Sequence, residues 1–119
     1  MTKEEFVKKL TDSVKVGDVF DNPGGGTSLI KKIEDGRIAY ARGKYKGTID
    51  IDMDVMYNAF VHFPNGFSSN DLRPLHNQFK NHGCNCTFLM MMLKAMGIIK
   101  QIEGRKEKPR DLPFRVKIN

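Results

Sequence analysis

The sequence predicts an α+β fold, in which a leading helix and a small antiparallel sheet pack on a helical second half. Three observations predict this class. The chain begins with a helix-capping pattern, residues 16–51 hold short apolar runs of strand length around a two-residue turn, and residues 52–97 place apolar side chains at helical spacing. With 119 residues, 39% of them hydrophobic, the chain is large enough for one compact core.

The first half begins with an amphipathic helix in TKEEFVKKLTDSV, where Thr2 and Glu5 have the spacing of a capping box. A short strand follows at Val16–Phe20. Asp35 and Gly36 form the two-residue turn of a hairpin, because both residue types tolerate the left-handed backbone that such turns need. The segment GTIDI then adds a fourth strand, so residues 16–51 are predicted to form a twisted antiparallel sheet.

The second half is predicted to be mostly helical. Asp52 is placed as the N-cap of a helix, and a very short extended piece follows at Phe67. Ser69 begins a helix that Pro74 disturbs, since proline lacks the backbone N–H. A methionine-rich helix follows and ends at Gly97, and two strands around a basic hairpin tip complete the chain.

This order of a helix, a short strand, two helices and a terminal hairpin occupies residues 52–118 and resembles the winged-helix family of helix-turn-helix domains. The resemblance implies a winged-helix-like subdomain at residues 52–119 behind a β subdomain at residues 1–51, the two forming one compact unit. It also implies that the hairpin, or wing, lies along the phosphate backbone or in the minor groove of DNA. The methionine-rich helix would then be the one that faces the major groove.

The distribution of charge indicates a polyanionic partner. Residues 1–60 hold ten Lys and Arg and ten Asp and Glu, whereas residues 61–119 hold ten Lys and Arg against four acids, so the second half carries the whole net charge of +6. The expected contacts are basic, amide or hydroxyl side chains on the wing, on the third helix and on a second patch: Arg105, Lys106, Lys108 and Arg110; Asn85, Thr87 and Lys94; Arg42, Lys44 and Lys46.

Two clusters of metal-binding residue types have simpler interpretations. The set His76, His82, Cys84 and Cys86 has an unfavourable C-x-C spacing for zinc, and no third group orients either thiol as a nucleophile, so we expect two small buried residues. Asp50, Asp52 and Asp54 would share one face of a strand and could hold a divalent ion, but Asp52 is better placed as a helix N-cap and Asp54 in the first turn of that helix. We therefore expect no metal site, no cofactor and no enzymatic activity.

The string DNPGGGTS allows two interpretations. Three glycines let a backbone approach a phosphate closely, which makes a ligand loop of Gly24, Gly25, Gly26, Thr27 and Ser28. The alternative is a flexible connection between two strands with a Pro-Gly turn. The string lacks the lysine and the following helix of a Walker loop.

Together these features favour a nucleic-acid-binding module, with double-stranded DNA preferred over RNA, as a regulator or as part of a restriction, phage or mobile-element system. The alternative is a protein-interaction or assembly module, such as a homodimer or a phage-encoded inhibitor of host defence, which uses the methionine-rich helix or the glycine loop. No apolar run reaches the ~20 residues that span a bilayer, and the N-terminus lacks the apolar stretch of a secretion signal. We therefore expect a cytoplasmic protein without a membrane partner.

Overall fold

The computed structural model describes residues 1–43, 47–104 and 113–118. These ranges contain α1 (Lys3–Ser13), β1 (Val19–Asp21), β2 (Thr27–Glu34), β3 (Arg37–Arg42), β4 (Ile49–Asp52), α2 (Met53–His62), β5 (Gly66–Ser68), α3 (Ser69–Leu72), α4 (Asn77–Asn81), α5 (Cys84–Ala95) and β6 (Arg115–Lys117). The predicted α+β class with an N-terminal helix is confirmed. None of the helices in the described ranges has the length and apolarity needed to cross a membrane.

The capping box at the start of α1 forms as predicted. The Thr2 hydroxyl accepts a hydrogen bond from the Glu5 backbone N–H at 3.1 Å, and the Glu5 carboxylate accepts one from the Thr2 N–H at 3.0 Å. Phe6 and Leu10 are fully buried, and the Phe6 ring packs on Tyr57 of α2 with ring centroids 5.5 Å apart. The helix is therefore held by its cap and by an apolar face against α2.

The hairpin between β2 and β3 turns at the predicted residues. Asp35 and Gly36 have φ angles of 53° and 72°, the left-handed backbone that a two-residue type I′ turn requires. The first strand lies later than the predicted Val16–Phe20, because Gly17 adopts a φ of 98° and the Asp18 carboxylate accepts a hydrogen bond from the Lys15 N–H. That turn delays β1 until Val19.

The first four strands form one antiparallel sheet in the order β1-β2-β3-β4. One face of this sheet is buried, through side chains that alternate along the strands: Ile30, Ile38, Tyr40, Ile49 and Ile51. Helix α5 packs on this face, and the rings of Tyr40 and Phe88 stack in parallel with centroids 3.9 Å apart. One hydrophobic core therefore joins the sheet to the helices of the second half.

Asp52 is the N-cap residue of α2, as predicted, but its side chain does not cap the helix. The carboxylate instead accepts hydrogen bonds from Nε of Arg37 and Nε2 of Gln78, both at 2.9 Å. Burial alone raises the pKa of this carboxyl, but the hydrogen bonds from Gln78 and Arg37 outweigh it and hold the pKa below its ordinary value. Through these hydrogen bonds, Asp52 connects the sheet to helix α4, which contains Gln78.

The single disturbed helix expected around Pro74 is two short helices, α3 and α4. The cap of α3 is Ser68 rather than Ser69, and its hydroxyl accepts a hydrogen bond from the Asp71 N–H at 3.3 Å. Helix α3 ends at Leu72 because Pro74, two residues later, has no N–H to continue the hydrogen-bond ladder. His76 begins the new helix by accepting a hydrogen bond from the Gln78 N–H on Nδ1.

The terminal strand β6 pairs with β5 in a separate two-stranded sheet, with Val116 opposite Phe67. Gly66 allows this pairing, since a Cβ there would lie 2.3 Å from the carbonyl oxygen of Val116. The other arm of the predicted hairpin lies within residues 98–104. It forms only an isolated bridge, between Glu103 and Arg115. The expected tip falls on residues 105–112, which lie outside the described ranges.

Candidate nucleic-acid interface

Helix α5, the helix expected to face the major groove, is a core element. Eight of its twelve residues are buried, on the sheet side and on the side of the other helices. A helix that reads base edges must expose the residues of its N-terminal half to the groove. In α5 the exposed residues are Lys94 and Ala95, which lie at the C-terminal end. The helix therefore does not offer a reading face.

The expectation that Asn85 is exposed at a groove is wrong, because its side chain is fully buried. Its amide nitrogen donates to the backbone carbonyls of Gln78 at 3.0 Å and Asp50 at 3.2 Å. Its carbonyl oxygen accepts the Tyr40 hydroxyl at 2.6 Å. Both amide donors and the carbonyl are thus engaged, which joins β3 and β4 to α5 and leaves no donor for a base.

The two other residues expected on this helix differ in exposure. Thr87 is half-buried, and its hydroxyl donates to the Cys84 carbonyl one turn earlier at 3.1 Å. Lys94 is exposed, but it lies beside β1 in a groove lined by Val19, Phe20, Asp21, Met91, Ala95 and Ile102. Asn85, Thr87 and Lys94 therefore do not form one surface that could face a base pair.

The cysteines behave as packing residues. Cys86 is fully buried and its thiol lies 3.8 Å from the Ser69 carbonyl oxygen. Burial raises the pKa of this thiol to about 11, so it stays protonated at neutral pH and is a poor nucleophile. Cys84 is half-buried. Within the described ranges, no three His, Cys, Asp or Glu side chains are grouped so that they could hold a metal ion.

The glycine string forms the turn between β1 and β2. The Asn22 N–H donates to the Gly26 carbonyl at 2.9 Å, and Gly25 and Gly26 have φ angles of 108° and 76° that other residues rarely adopt. Ser28, expected as a ligand donor, is buried, and its hydroxyl donates to the Asn22 side chain at 2.6 Å. A Cβ added at Gly24 would lie 3.7 Å from the Phe114 ring, and Thr27 remains exposed. The string is therefore accounted for as a hairpin turn.

Ion pairs are distributed unevenly between the two halves. Four of the five pairs between described residues join residues of the first half: Lys3–Asp54, Lys8–Asp12, Lys32–Glu34 and Arg37–Asp52. The second half contributes the pair of Arg115 and Glu103, at 3.3 Å. Its other described acid, Asp71, is engaged by the backbone N–H and hydroxyl of Ser68. Both acids of the second half that the structure describes, Asp71 and Glu103, are therefore engaged.

Five cations of the second half form no ion pair with a described residue: Arg73, Lys80, Lys94, Lys100 and Lys117. All five are exposed. The first half also has unpaired cations, but exposed acids such as Glu4, Asp21 and Asp50 offset them. Among the residues that the structure describes, the charge asymmetry of the sequence thus appears at the surface as exposed cations without an acidic partner.

Four of these cations line two open grooves in the second half. Arg73 and Lys80 lie with His76 and Asn77 around the turn between α3 and α4. The Arg73 guanidinium packs over Gly83 at the start of α5, where an added Cβ would lie 3.3 Å from its Nη2. Lys100 and Lys117 line the second groove together with Gln101. No sequence motif identified Arg73, Lys80, Lys100 and Lys117 as candidate contacts. The only indication in the sequence was the positive net charge of residues 61–119.

The remaining expected contacts are only partly described. Arg42 ends β3 half-buried, opposite Ser28 of β2. Lys44, Lys46, Arg105, Lys106, Lys108 and Arg110 lie outside the described ranges. In the sequence, residues 105–112 hold four Lys and Arg against two acids.

No protein-family model matches this chain, and no match was found among the curated proteins or among the solved structures. The resemblance to winged-helix domains therefore remains a prediction from the order of the elements.

Proposed function

We propose that this chain binds double-stranded DNA through the phosphate backbone, using the uncompensated cations of its second half. One observation carries the proposal: Arg73, Lys80, Lys94, Lys100 and Lys117 are exposed and form no ion pair with any described residue. Each such cation that reaches a phosphate releases condensed counterions, and this release supplies most of the affinity of sequence-independent binding.

The burial of α5 favours backbone contact over base reading. Base recognition needs amide or guanidinium groups aimed at base edges, and the one amide at the start of α5, on Asn85, is used inside the core. Phosphate contacts need only exposed cations whose spacing follows the duplex. The basic segment 105–112 would add contacts of the same kind, because its charge is also positive.

The groove between α3 and α4 gives a direct test. Replacing both Arg73 and Lys80 by alanine removes two proposed phosphate contacts, so we expect duplex affinity to fall about 50-fold at 0.1 M salt. The matched control replaces Lys9 and Lys31, which are also exposed and form no ion pair with a described residue. Both variants lose two positive charges, and fluorescence anisotropy with a labelled 20-base-pair duplex would compare them.

We expect the control variant to bind within about threefold of the unaltered chain, because long-range attraction between exposed charges is largely screened at this salt concentration. Equal losses in the two variants would mean that net charge alone matters and that no interface exists around Arg73. An unchanged affinity of the Arg73 and Lys80 variant would remove this groove from the proposed interface. Unfolding curves of both variants would show that each is folded.

A second candidate function, protein interaction, is favoured by a different surface. The strand β1 lies at the edge of its sheet, and two apolar side chains are exposed there: Val19, within the strand, is 60% exposed, and Val16, before it, is 57% exposed.

A further inference from the structure

The groove at the turn between α3 and α4 differs in charge from three other grooves of the described surface. Two cations and no acid belong to its lining, which consists of Arg73, Pro74, Leu75, His76, Asn77 and Lys80. The other three grooves each include a carboxylate: Asp21 in one, Glu103 in another, and Glu34, Asp35 and Asp50 in the third. A cleft lined by charge of one sign concentrates ligands of the opposite sign, so this groove favours an anion.

The acids close to this turn are held by other groups. The carboxylate of Asp52 accepts hydrogen bonds from two other side chains, and the carboxylate of Asp71 accepts those of the Ser68 N–H and hydroxyl. Neither acid forms an ion pair with Arg73 or Lys80. The positive charge of the groove is therefore available to a ligand.

The groove also contains surfaces that a phosphate group does not use. Pro74 and His76 are exposed, and Leu75 between them is half-buried. The His76 ring is held in position because its Nδ1 accepts a hydrogen bond from the Gln78 N–H at 3.0 Å. Flat side chains beside cations are typical of proteins that bind unpaired nucleotides, since every base has a face that can stack.

The interior of a DNA duplex cannot use this apolar surface, because neighbouring base pairs cover both faces of each base. A base face becomes accessible where a nucleotide is unpaired, as in an overhang or a gap. The groove has a volume of about 740 Å³, within the range of roughly 300–1,000 Å³ that is usual for small-molecule sites. It therefore has room for one nucleotide.

We propose that this groove binds one unpaired nucleotide of a DNA strand, with the phosphate at Arg73 and Lys80 and the base against Pro74, Leu75 and His76. This site rests on the proposed function, because the same two cations contact the phosphates of a duplex. It goes further in giving the chain a preference for DNA that has overhangs or gaps. All bases share a flat face, so the preference is independent of sequence.

The first test compares two trinucleotides that carry the same phosphates. One consists of three deoxyadenosines and the other of three abasic deoxyriboses, so only the first offers bases to the groove. In NMR titrations of the full chain, Kd should be about tenfold lower for the adenosine trinucleotide, the difference that stacking of one base supplies. The signals that shift should include the Leu75 methyl groups and the His76 ring.

The second test removes the ring that holds the base. His76→Asn keeps a side-chain acceptor for the Gln78 N–H, because asparagine is a favoured residue at the start of a helix. This variant should reduce the tenfold preference for the adenosine trinucleotide to about threefold or less. His62→Asn is the matched control, because His62 is also exposed but lies in α2, outside the groove. It should keep the full preference, and unfolding curves would show that both variants are folded.

The possible outcomes separate this site from duplex binding. Equal Kd values for the two trinucleotides, an unchanged preference in the His76→Asn variant, or shifts confined to residues outside the groove would overturn the unpaired-nucleotide site. If the unaltered chain still bound a blunt duplex, the proposed function would stand without it. Binding of neither trinucleotide and of no blunt duplex would overturn both. A tenfold preference without binding to a blunt duplex would support this site and refute duplex binding.

Discussion

Replacing Asn85 by leucine is expected to lower the free energy of unfolding by about 3 kcal/mol, although the two side chains have the same number of heavy atoms and the same branching. The substitution removes the acceptor of the Tyr40 hydroxyl, which is buried, and the donor to the carbonyls of Asp50 and Gln78. A buried polar group left without a partner costs about 1–3 kcal/mol, and the added apolar contacts of leucine offset part of the total. Urea unfolding with an unchanged m value would measure the loss.

Two companion variants separate this network from ordinary packing. Tyr40→Phe leaves only the Asn85 carbonyl without its partner and keeps the stacking on Phe88, so a loss of about 1–2 kcal/mol is expected. Thr87→Val on the same helix breaks only a hydrogen bond to Cys84 one turn away and should cost less than about 1 kcal/mol. An Asn85→Leu variant as stable as the unaltered chain would show that the amide contributes nothing to stability.

Replacing Arg105, Lys106, Lys108 and Arg110 together by alanine is expected to weaken duplex binding about a thousandfold at 0.1 M salt. The reason is that the segment 105–112 is the most basic stretch of the second half, and four phosphate contacts would be lost at once. Fluorescence anisotropy with the same 20-base-pair duplex would measure the affinity, and the unfolding curve would show whether the variant is still folded.

The control for this variant replaces four exposed lysines of the first half: Lys8, Lys9, Lys15 and Lys31. Its net charge falls by the same four units, and the one ion pair lost, between Lys8 and Asp12, is an exposed pair that contributes little to stability. We expect affinity within about tenfold of the unaltered chain. If the first variant binds as tightly as this control, the wing has no specific part in binding.

Local features of the fold were predictable from the sequence. The capping box of Thr2 and Glu5 and the turn at Asp35 and Gly36 depend on residues at most three positions apart, so the residue types alone specify them. Gly97 ends the methionine-rich helix with a φ of 75° and a backbone hydrogen bond to Lys94, for the same local reason.

The candidate site was less predictable because it depends on distant partners. Whether Asn85 faces solvent or the core is decided by Tyr40, 45 residues earlier in the chain, and by the backbone of Asp50. The apolar run of α5 suits both a half-exposed helix and a buried one, so periodicity could not distinguish them. Likewise, Arg73 and Lys80 flank a break at Pro74, and only the tertiary structure places both in one groove.

The most direct measurement is the salt dependence of binding to two duplexes of unrelated sequence. With five or more phosphate contacts, a plot of the logarithm of the affinity against the logarithm of the salt concentration should have a slope of about −4 or steeper. This slope corresponds to an affinity loss of at least about 200-fold between 50 and 200 mM salt. Because no amide of α5 is free to read bases, both duplexes should bind within about threefold of each other. An affinity that changes less than about tenfold over this range, or binding confined to one of the two duplexes, would contradict backbone binding by the second half.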